Sequence, residues 1–288
     1  MPKKKIGLAL SSGATRGIFL PGIMRVLKRE GVKIDFVAGS SVGAIGAIGV
    51  GLDLDPEFMI EWGEKTKFWQ YITPELHDDL GVINFDHVIR RGMDVTGDID
   101  FSDFKIKTAF VALDLETSEP VVFNEGKVWE ALRGAVGAPS IFAPLRKNGH
   151  YYVDSGLTNP LPVDVVRQMG ADIVIAVDQG PIAAENMQFD HSYFHLPVFT
   201  TINRAHAAYK MFMHYGGTLH RNAIDREIKE QKPEIVLSLK DGLAKKHISK
   251  DIGFFEMGQA KLLIKIGEEE ATKAIPKIKE LVNYEESL

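Results

Sequence analysis

No cysteine occurs among the 288 residues. Disulfides, thiolate metal sites and thiol nucleophiles are therefore excluded, and a chain without disulfides suits a reducing cytoplasm. Net positive charge is missing as well. Lys and Arg number 34 against 39 Asp and Glu, a formal net charge of −5. That lacks the basic footprint of a nucleic-acid-binding protein, and no nucleic-acid partner is expected. Long apolar runs are also lacking. The longest uncharged stretch stops before Asp53 and is full of glycine, short of the roughly 18 to 20 apolar residues of a spanning helix. The start, MPKKKIGLAL, has the basic beginning of a signal peptide, but its apolar run breaks at Ser11 and Ser12, with Arg16 close behind. An h-region needs about 7 to 15 apolar residues. The expectation is a soluble, cytoplasmic chain. Lys3, Lys4 and Lys5 could contact anionic head groups at a membrane surface, or simply form a solvated strand end.

What is present is an ordinary globular composition, 45% apolar and 25% charged, enough for one large domain with a substantial core. Short apolar runs alternate with amphipathic segments. KKIGLAL, KIDFVAG and ADIVIAVDQG read as buried strands, the last of a parallel type. PGIMRVLKRE reads as a helix, with Ile23, Val26 and Leu27 on one face and Gly31 at its end. Residues 105–126 read as two strands about a turn at 116–119, and VWEALRGAVGAPS as a helix that stops before Pro139. HYYVDSGLTNPLP reads as a strand and turn, and VDVVRQMG as a helix. A long helix is expected from about Thr200 to Lys229, then a strand at EIVLSL and a helical end. Residues 53–105 are less regular and read as short helices, with Phe58, Trp62, Phe68, Trp69 and Tyr71 concentrated there. This alternation predicts an α/β fold with a mostly parallel sheet, in which sites form beyond the C-terminal ends of strands. The loops after Leu10, around Ser41 and around Asp154 meet that condition.

Chemistry concentrates in those three loops. VAGSSVGAIGAIGVGL has no charge and five glycines. Within it, Gly39-Ser40-Ser41-Val42-Gly43 fits G-x-S-x-G centred on Ser41, not on Ser40. In that motif a strand turns sharply into a helix, a nucleophilic serine sits at the apex, and small flanking residues prevent a clash. The helix starting near Val42 would point its positive end at the serine. An acyl-transfer serine needs donors for an oxyanion, and the loop SSGATRG (residues 11–17) can present several backbone N–H groups together. It is neither a G-x-G-x-x-G fingerprint nor a P-loop, since no Gly-Lys-Ser/Thr follows. Arg16 either shapes this loop through carbonyl bonds or is a solvated residue at a helix start. The serine also needs a base. Asp154, in YYVDSG, is placed for that role, or for an ordinary turn in which it bonds its own backbone.

In this order the three pieces resemble the patatin-like phospholipase family. IGLALSSGATRGIFLPGIMRVLKREGVKIDFVAGSSVGAIGAIGVG is similar to the family's opening. The block from FKIKTAFVALDLETSEP to ADIVIAVD is similar to the centre of its small bacterial members, and PEIVLSLKDG and FFEMGQAKLLIKIGEEEA to their closing strand and helix. The resemblance implies one patatin-like domain over residues 1–288, a three-layer α/β/α architecture, and a variable helical, cap-like region at about 53–105. The aromatic cluster in that region either caps an acyl pocket or, with Trp62, Phe68 and Trp69, simply packs the core under a loop. The resemblance implies a lipid acyl hydrolase, a phospholipase, lysophospholipase or carboxylesterase, that acts through an acyl-enzyme without metal or cofactor. Ser41 would be the nucleophile and Asp154 the base, with no histidine. The oxyanion hole would fall on Ser12, Gly13 and Ala14, supported by Arg16, Gly17, Gly39, Gly43 and Gly156. The partner would be a lipid or other acyl ester, with peripheral membrane contact.

Two positions depart from the family pattern. Residues 11–15 read Ser-Ser-Gly-Ala-Thr where a run of glycines is usual, and a residue with a Cβ suits such a loop only at compatible dihedrals. Asp154-Ser155-Gly156 stands where Asp-Gly-Gly is commoner. Two rival readings follow. One is a lipid-binding protein whose hole is spoiled at Ser12 and Ala14. The other is a Ser-His-Asp esterase with a base such as His206 or His214. His150, near Asp154 in sequence, is the first of the nine histidines to check.

Overall fold

Short apolar runs of five or six residues bury themselves completely when helices cover both faces of the sheet they form, which is why they need no polar alternation. The computed structural model describes residues 3–65, 73–75, 80–139, 141–180, 197–245 and 259–283. β1 (Ile6–Leu10) leads through a 3-10 turn (Ala14–Ile18) into α1 (Phe19–Arg29), and β2 (Phe36–Ser40) leads into α2 (Val42–Gly51). Next come α3 (Pro56–Lys65), a small strand pair, β3 (Thr73–Pro74) and β4 (Ile83–Asn84), and α4 (Asp86–Thr96). β5 (Lys107–Asp114) and β6 (Glu119–Phe123) form a hairpin, followed by α5 (Val128–Val136) and a second hairpin, β7 (Leu145–Lys147) and β8 (His150–Asp154). The chain continues through α6 (Val163–Gln168), β9 (Ile173–Asp178), α7 (Pro197–Gln231), β10 (Ile235–Ser238), α8 (Leu239–Lys245) and α9 (Ala260–Asn283).

β10, β9, β1, β2 and β5 lie side by side in parallel, and β6, β7 and β8 add antiparallel pairs beyond them. The result is the expected three-layer α/β/α arrangement. Alternate residues of each strand face opposite layers. Ile6, Leu8 and Leu10 join a core with α1, α2, α5 and α9, whereas Ala9, Ala38, Val174 and Ala176 pack towards α6 and α7. Phe19 is fully buried at the start of α1. Phe19→Ala is expected to lower unfolding free energy by about 3–5 kcal/mol through the cavity it leaves, read from a chemical denaturation midpoint.

The strand register positions the site. β6 pairs along β5 from Phe110 to Asp114. β2 pairs with β5 up to Ser40 opposite Val111, and β8 pairs from Tyr152 opposite Asp114 down to Asp154 opposite Ala112. A strand has two edges, and β6 overlaps both partners, so β2 and β8 must share the other edge. They run towards each other and end at adjacent residues of β5. Ser41 and Asp154 therefore meet there although 113 positions apart in the chain, a separation read directly from their numbers.

Two segments differ from what the sequence suggests. Where short helices are expected before residue 85, β3 and β4 pair through Thr73 with Asn84 and Pro74 with Ile83. Pro74 cannot donate a helical hydrogen bond, and Val82 N donates to the Ile141 carbonyl at 3.0 Å instead. The strand β7 is an addition, and it forms through the turn Asn148-Gly149, whose φ values are 53° and 82°. Of the aromatic group, Phe58 is exposed and Trp62 partly buried, while Phe68, Trp69 and Tyr71 lie outside the described residues. No described helix is long and apolar enough to cross a membrane.

Candidate active site

The turn from β2 into α2 is as tight as its composition suggests. A Cβ on Gly39 would lie 2.1 Å from the Gly43 carbonyl oxygen, and one on Gly43 would lie 2.3 Å from that of Leu10. Only glycine fits at both places. At the apex Ser41 has φ 55° and ψ −124°, a sparsely populated region that costs about 1–3 kcal/mol and tends to mark functional sites. Ser41 is partly exposed, whereas Ser40 is fully buried. The Ser40 hydroxyl lies 2.9 Å from that of Ser155, which donates to the Val111 carbonyl at 3.0 Å. Ser155, one of the two departures noted above, is thus a buried strut that ties the ends of β2 and β8 to β5.

Asp154 ends β8 and faces Ser41, whose hydroxyl bonds its carboxyl. The Gly156 N–H donates to Asp154 Oδ1 at 2.7 Å, and a Cβ on Gly156 would come within 2.9 Å of that oxygen. This turn bond is the ordinary reading of an aspartate before glycine, and it coexists with the bond to Ser41. Asp154 keeps part of its surface open. Burial nonetheless outweighs the two hydrogen bonds and lifts its pKa from 3.8 to about 6, because desolvation disfavours the charged carboxylate.

The loop after β1 lies alongside. Ser12 is buried, and its N–H donates to the Pro160 carbonyl at 2.8 Å. That N–H is therefore taken. The N–H groups of Gly13 and Ala14 have no acceptor among the described residues. Gly13 is required, since a Cβ there would stand 2.2 Å from the Gln179 carbonyl oxygen. Ala14 takes φ 51°, the left-handed region in which a Cβ costs about 1–2 kcal/mol. Ala14→Gly is expected to keep the loop's shape and leave stability within about 1 kcal/mol, because relief of strain offsets the added freedom of the unfolded chain. Thermal melts check this. Arg16 is buried and its Nε donates to the Gln179 carbonyl at 3.1 Å. It shapes the loop and is not a solvated residue. A Cβ on Gly17 would lie 2.5 Å from Val42 Cγ2, which holds the loop against the start of α2.

The histidines take separate places. His150 bonds Asp114 through Nδ1 at 2.7 Å and stacks on Tyr152, at the far end of β8 from Asp154. The His206 side chain lies outside the described residues, and His214 lies nearer than His220 to the start of α7. His220 reaches the loop, where its Nε2 contacts the Ser12 hydroxyl. Sequence reasoning misses two contributors. Gln179 follows β9 and binds Ser11 through its own N–H (2.9 Å) and through Nε2 (2.7 Å). The rule that sites gather at the C-terminal ends of strands points to it. Nothing in the spacing of His220 singles it out.

The family model for patatin-like phospholipase matches residues 8–167. The chain belongs to the patatin-like phospholipase family. Lysophospholipase NTE1 of Phaeosphaeria nodorum is 28% identical over 193 residues, which is 64% of this chain and 13% of that protein. An uncharacterized NTE family protein of Mycobacterium tuberculosis is 29% identical over 177 residues, 60% of this chain and 48% of that one. This chain therefore spans about an eighth of the first relative's length and about half of the second's. The crystal structure of VipD from Legionella pneumophila aligns over 96% of this chain and 67% of that one at 12% identity, with a TM-score of 0.49.

Proposed function

We propose that this member of the patatin-like family is a lipid acyl hydrolase that works through a Ser41–Asp154 dyad and an acyl-enzyme. The observation that carries the reading is the strained apex serine, partly exposed and bonded to a carboxyl with a pKa of about 6. A carboxylate with an ordinary pKa is a poor base for a hydroxyl, and raising its pKa improves proton transfer near neutral pH. Asp154 accepts the Ser41 proton as Ser41 Oγ bonds the ester carbonyl carbon. The carbonyl oxygen becomes an oxyanion, held by the N–H groups of Gly13 and Ala14 and favoured by the start of α2. The tetrahedral centre collapses, the alcohol leaves with the proton held by Asp154, and an acyl-Ser41 remains. Water then gives a proton to Asp154, attacks the acyl carbon, and releases the fatty acid as the proton returns to Ser41. The dyad needs no metal and no cofactor for these steps.

The family name and the lysophospholipase relative support a lipid ester as substrate, with contact at a membrane surface where such esters reside. The bond from His220 to Ser12, and not to Ser41, favours the dyad over a Ser-His-Asp arrangement. The test is a fluorophosphonate probe on the purified chain, with the modified residue mapped by mass spectrometry. Capture at Ser41 is the expected result. A folded protein that takes no label on any serine overturns the hydrolase reading in favour of a lipid-binding one.

A further inference from the structure

The loop that carries the two N–H groups without an acceptor among the described residues is clamped on both sides of them. Gln179 holds Ser11 through two bonds and Arg16 through its carbonyl. Ser12 is pinned through its backbone by Pro160 and through its buried hydroxyl by His220. His220 is itself fixed by its neighbour. Arg221 is buried, and its Nη1 reaches both carboxylate oxygens of Asp178, the last residue of β9, at 2.9 and 2.8 Å. Ser238 donates to the same carboxylate at 3.2 Å. An ion pair buried in this way locks one turn of α7 to the strand end, and the His220 ring is delivered to the loop as a consequence.

We infer that His220 is a positioning residue of the esterase site, which sets the direction of the Gly13 and Ala14 N–H groups by holding the Ser12 hydroxyl. The inference rests on the dyad reading above. The hydroxyl also lies 3.4 Å from the Pro160 carbonyl, placed to donate to it. A serine has one hydroxyl proton, so a Ser12 that gives it to Pro160 accepts from His220. The ring is then the neutral Nε2–H tautomer. Its surroundings enforce neutrality. Burial, Arg16 and Arg221 together pull the imidazole down to about 3. A ring held neutral at every physiological pH keeps one hydrogen-bonding pattern, which suits a strut and not a proton carrier.

A double-mutant cycle on a p-nitrophenyl ester tests this, with circular dichroism and thermal melts to verify folding. His220→Ala is expected to lower kcat by about tenfold to a hundredfold with KM within about twofold, the pattern of a lost transition-state interaction. His220→Gln, which can still donate from its amide, should recover most of that loss. Ser12→Ala should match His220→Ala, and the double variant should be no worse than either, because coupled residues are not additive. In the wild type, ¹⁵N spectra of labelled histidine should show a neutral Nε2–H ring still present at about pH 5. The inference is overturned if Ser41→Ala abolishes turnover while His220→Ala keeps kcat. It is overturned as well if the two losses multiply, if Gln is no better than Ala, or if the ring titrates near its ordinary pKa. A folded wild type that turns over no ester removes this inference and the dyad reading together.

Discussion

Ser41→Ala is expected to end capture by a fluorophosphonate and to lower ester turnover by about 10⁴-fold or more, the scale on which a nucleophile acts with its base as a unit. Ser40→Ala makes the sharpest comparison. The two serines are neighbours, and both lie in a stretch with no charge. Ser40 Oγ is sealed between β2 and β8 against Ser155, with none of its surface exposed. Its removal is expected to cost about 1–3 kcal/mol of stability, because the Ser155 hydroxyl loses a partner in a buried place. Labelling of Ser41 should survive. Ser41 carries the opposite balance. Its φ of 55° and ψ of −124° are a standing cost that the tight glycines around it enforce, and the result is a hydroxyl lifted off the sheet towards Asp154. Labelling that persists in Ser41→Ala, or moves to Ser40, would be the outcome that removes the elbow from the mechanism.

How much of this is legible without the structure depends on the range of the interactions. The parallel strands are readable because each is a short apolar run that needs only to be covered, and the G-x-S-x-G turn is readable because its constraints are local. A Cβ on Gly39 would meet backbone four residues on, and one on Gly43 would meet the end of the neighbouring strand β1. The turn at Asn148-Gly149 is equally local, and its dipeptide is a hairpin signal. It is easily passed over because the strands on either side are short. What cannot be read is the meeting of β2 and β8 on one edge of β5, since strand pairing is a matter of topology and leaves no mark in composition. The same holds for Ser12. Its backbone N–H reads as a candidate donor, and the acceptor that uses it, Pro160, is 148 positions away by their numbers. The strand pair at residues 73–84 escapes pattern reading because two-residue strands are too short for any period to show. Ser155 reads only as a departure from the commoner Asp-Gly-Gly, and its contacts with Ser40 and Val111 reveal what the hydroxyl does.

Asp154→Asn should separate activity from stability, since the same burial acts on both with opposite sign. The folded carboxyl has a pKa of about 6, above its ordinary 3.8, so the folded protein holds the Asp154 proton more tightly than the unfolded chain. By linkage, this group's contribution to stability is fully present below about pH 4 and is lost as pH rises through 6. At neutral pH the ionised carboxylate is a burden. Asn keeps the shape and an oxygen for the Gly156 N–H, and it never has to ionise. It should therefore raise unfolding free energy at pH 7 by about 1–3 kcal/mol, since a tenfold difference in proton affinity between folded and unfolded chain is worth about 1.4 kcal/mol, with the gain vanishing towards pH 4. Turnover should fall by about 10³-fold or more, as an amide cannot take the Ser41 proton. The wild type should show the counterpart in its rates. kcat/KM reports the ionisation of the free enzyme, so it should rise about tenfold per pH unit below about 6 and level off above it. Asp154→Asn should lose that limb along with the activity. A wild-type limb near pH 4, or an Asn variant that gains no stability at neutral pH, would mean that the carboxyl is as well solvated as an ordinary one. The proposal that burial makes Asp154 a competent base would then fail.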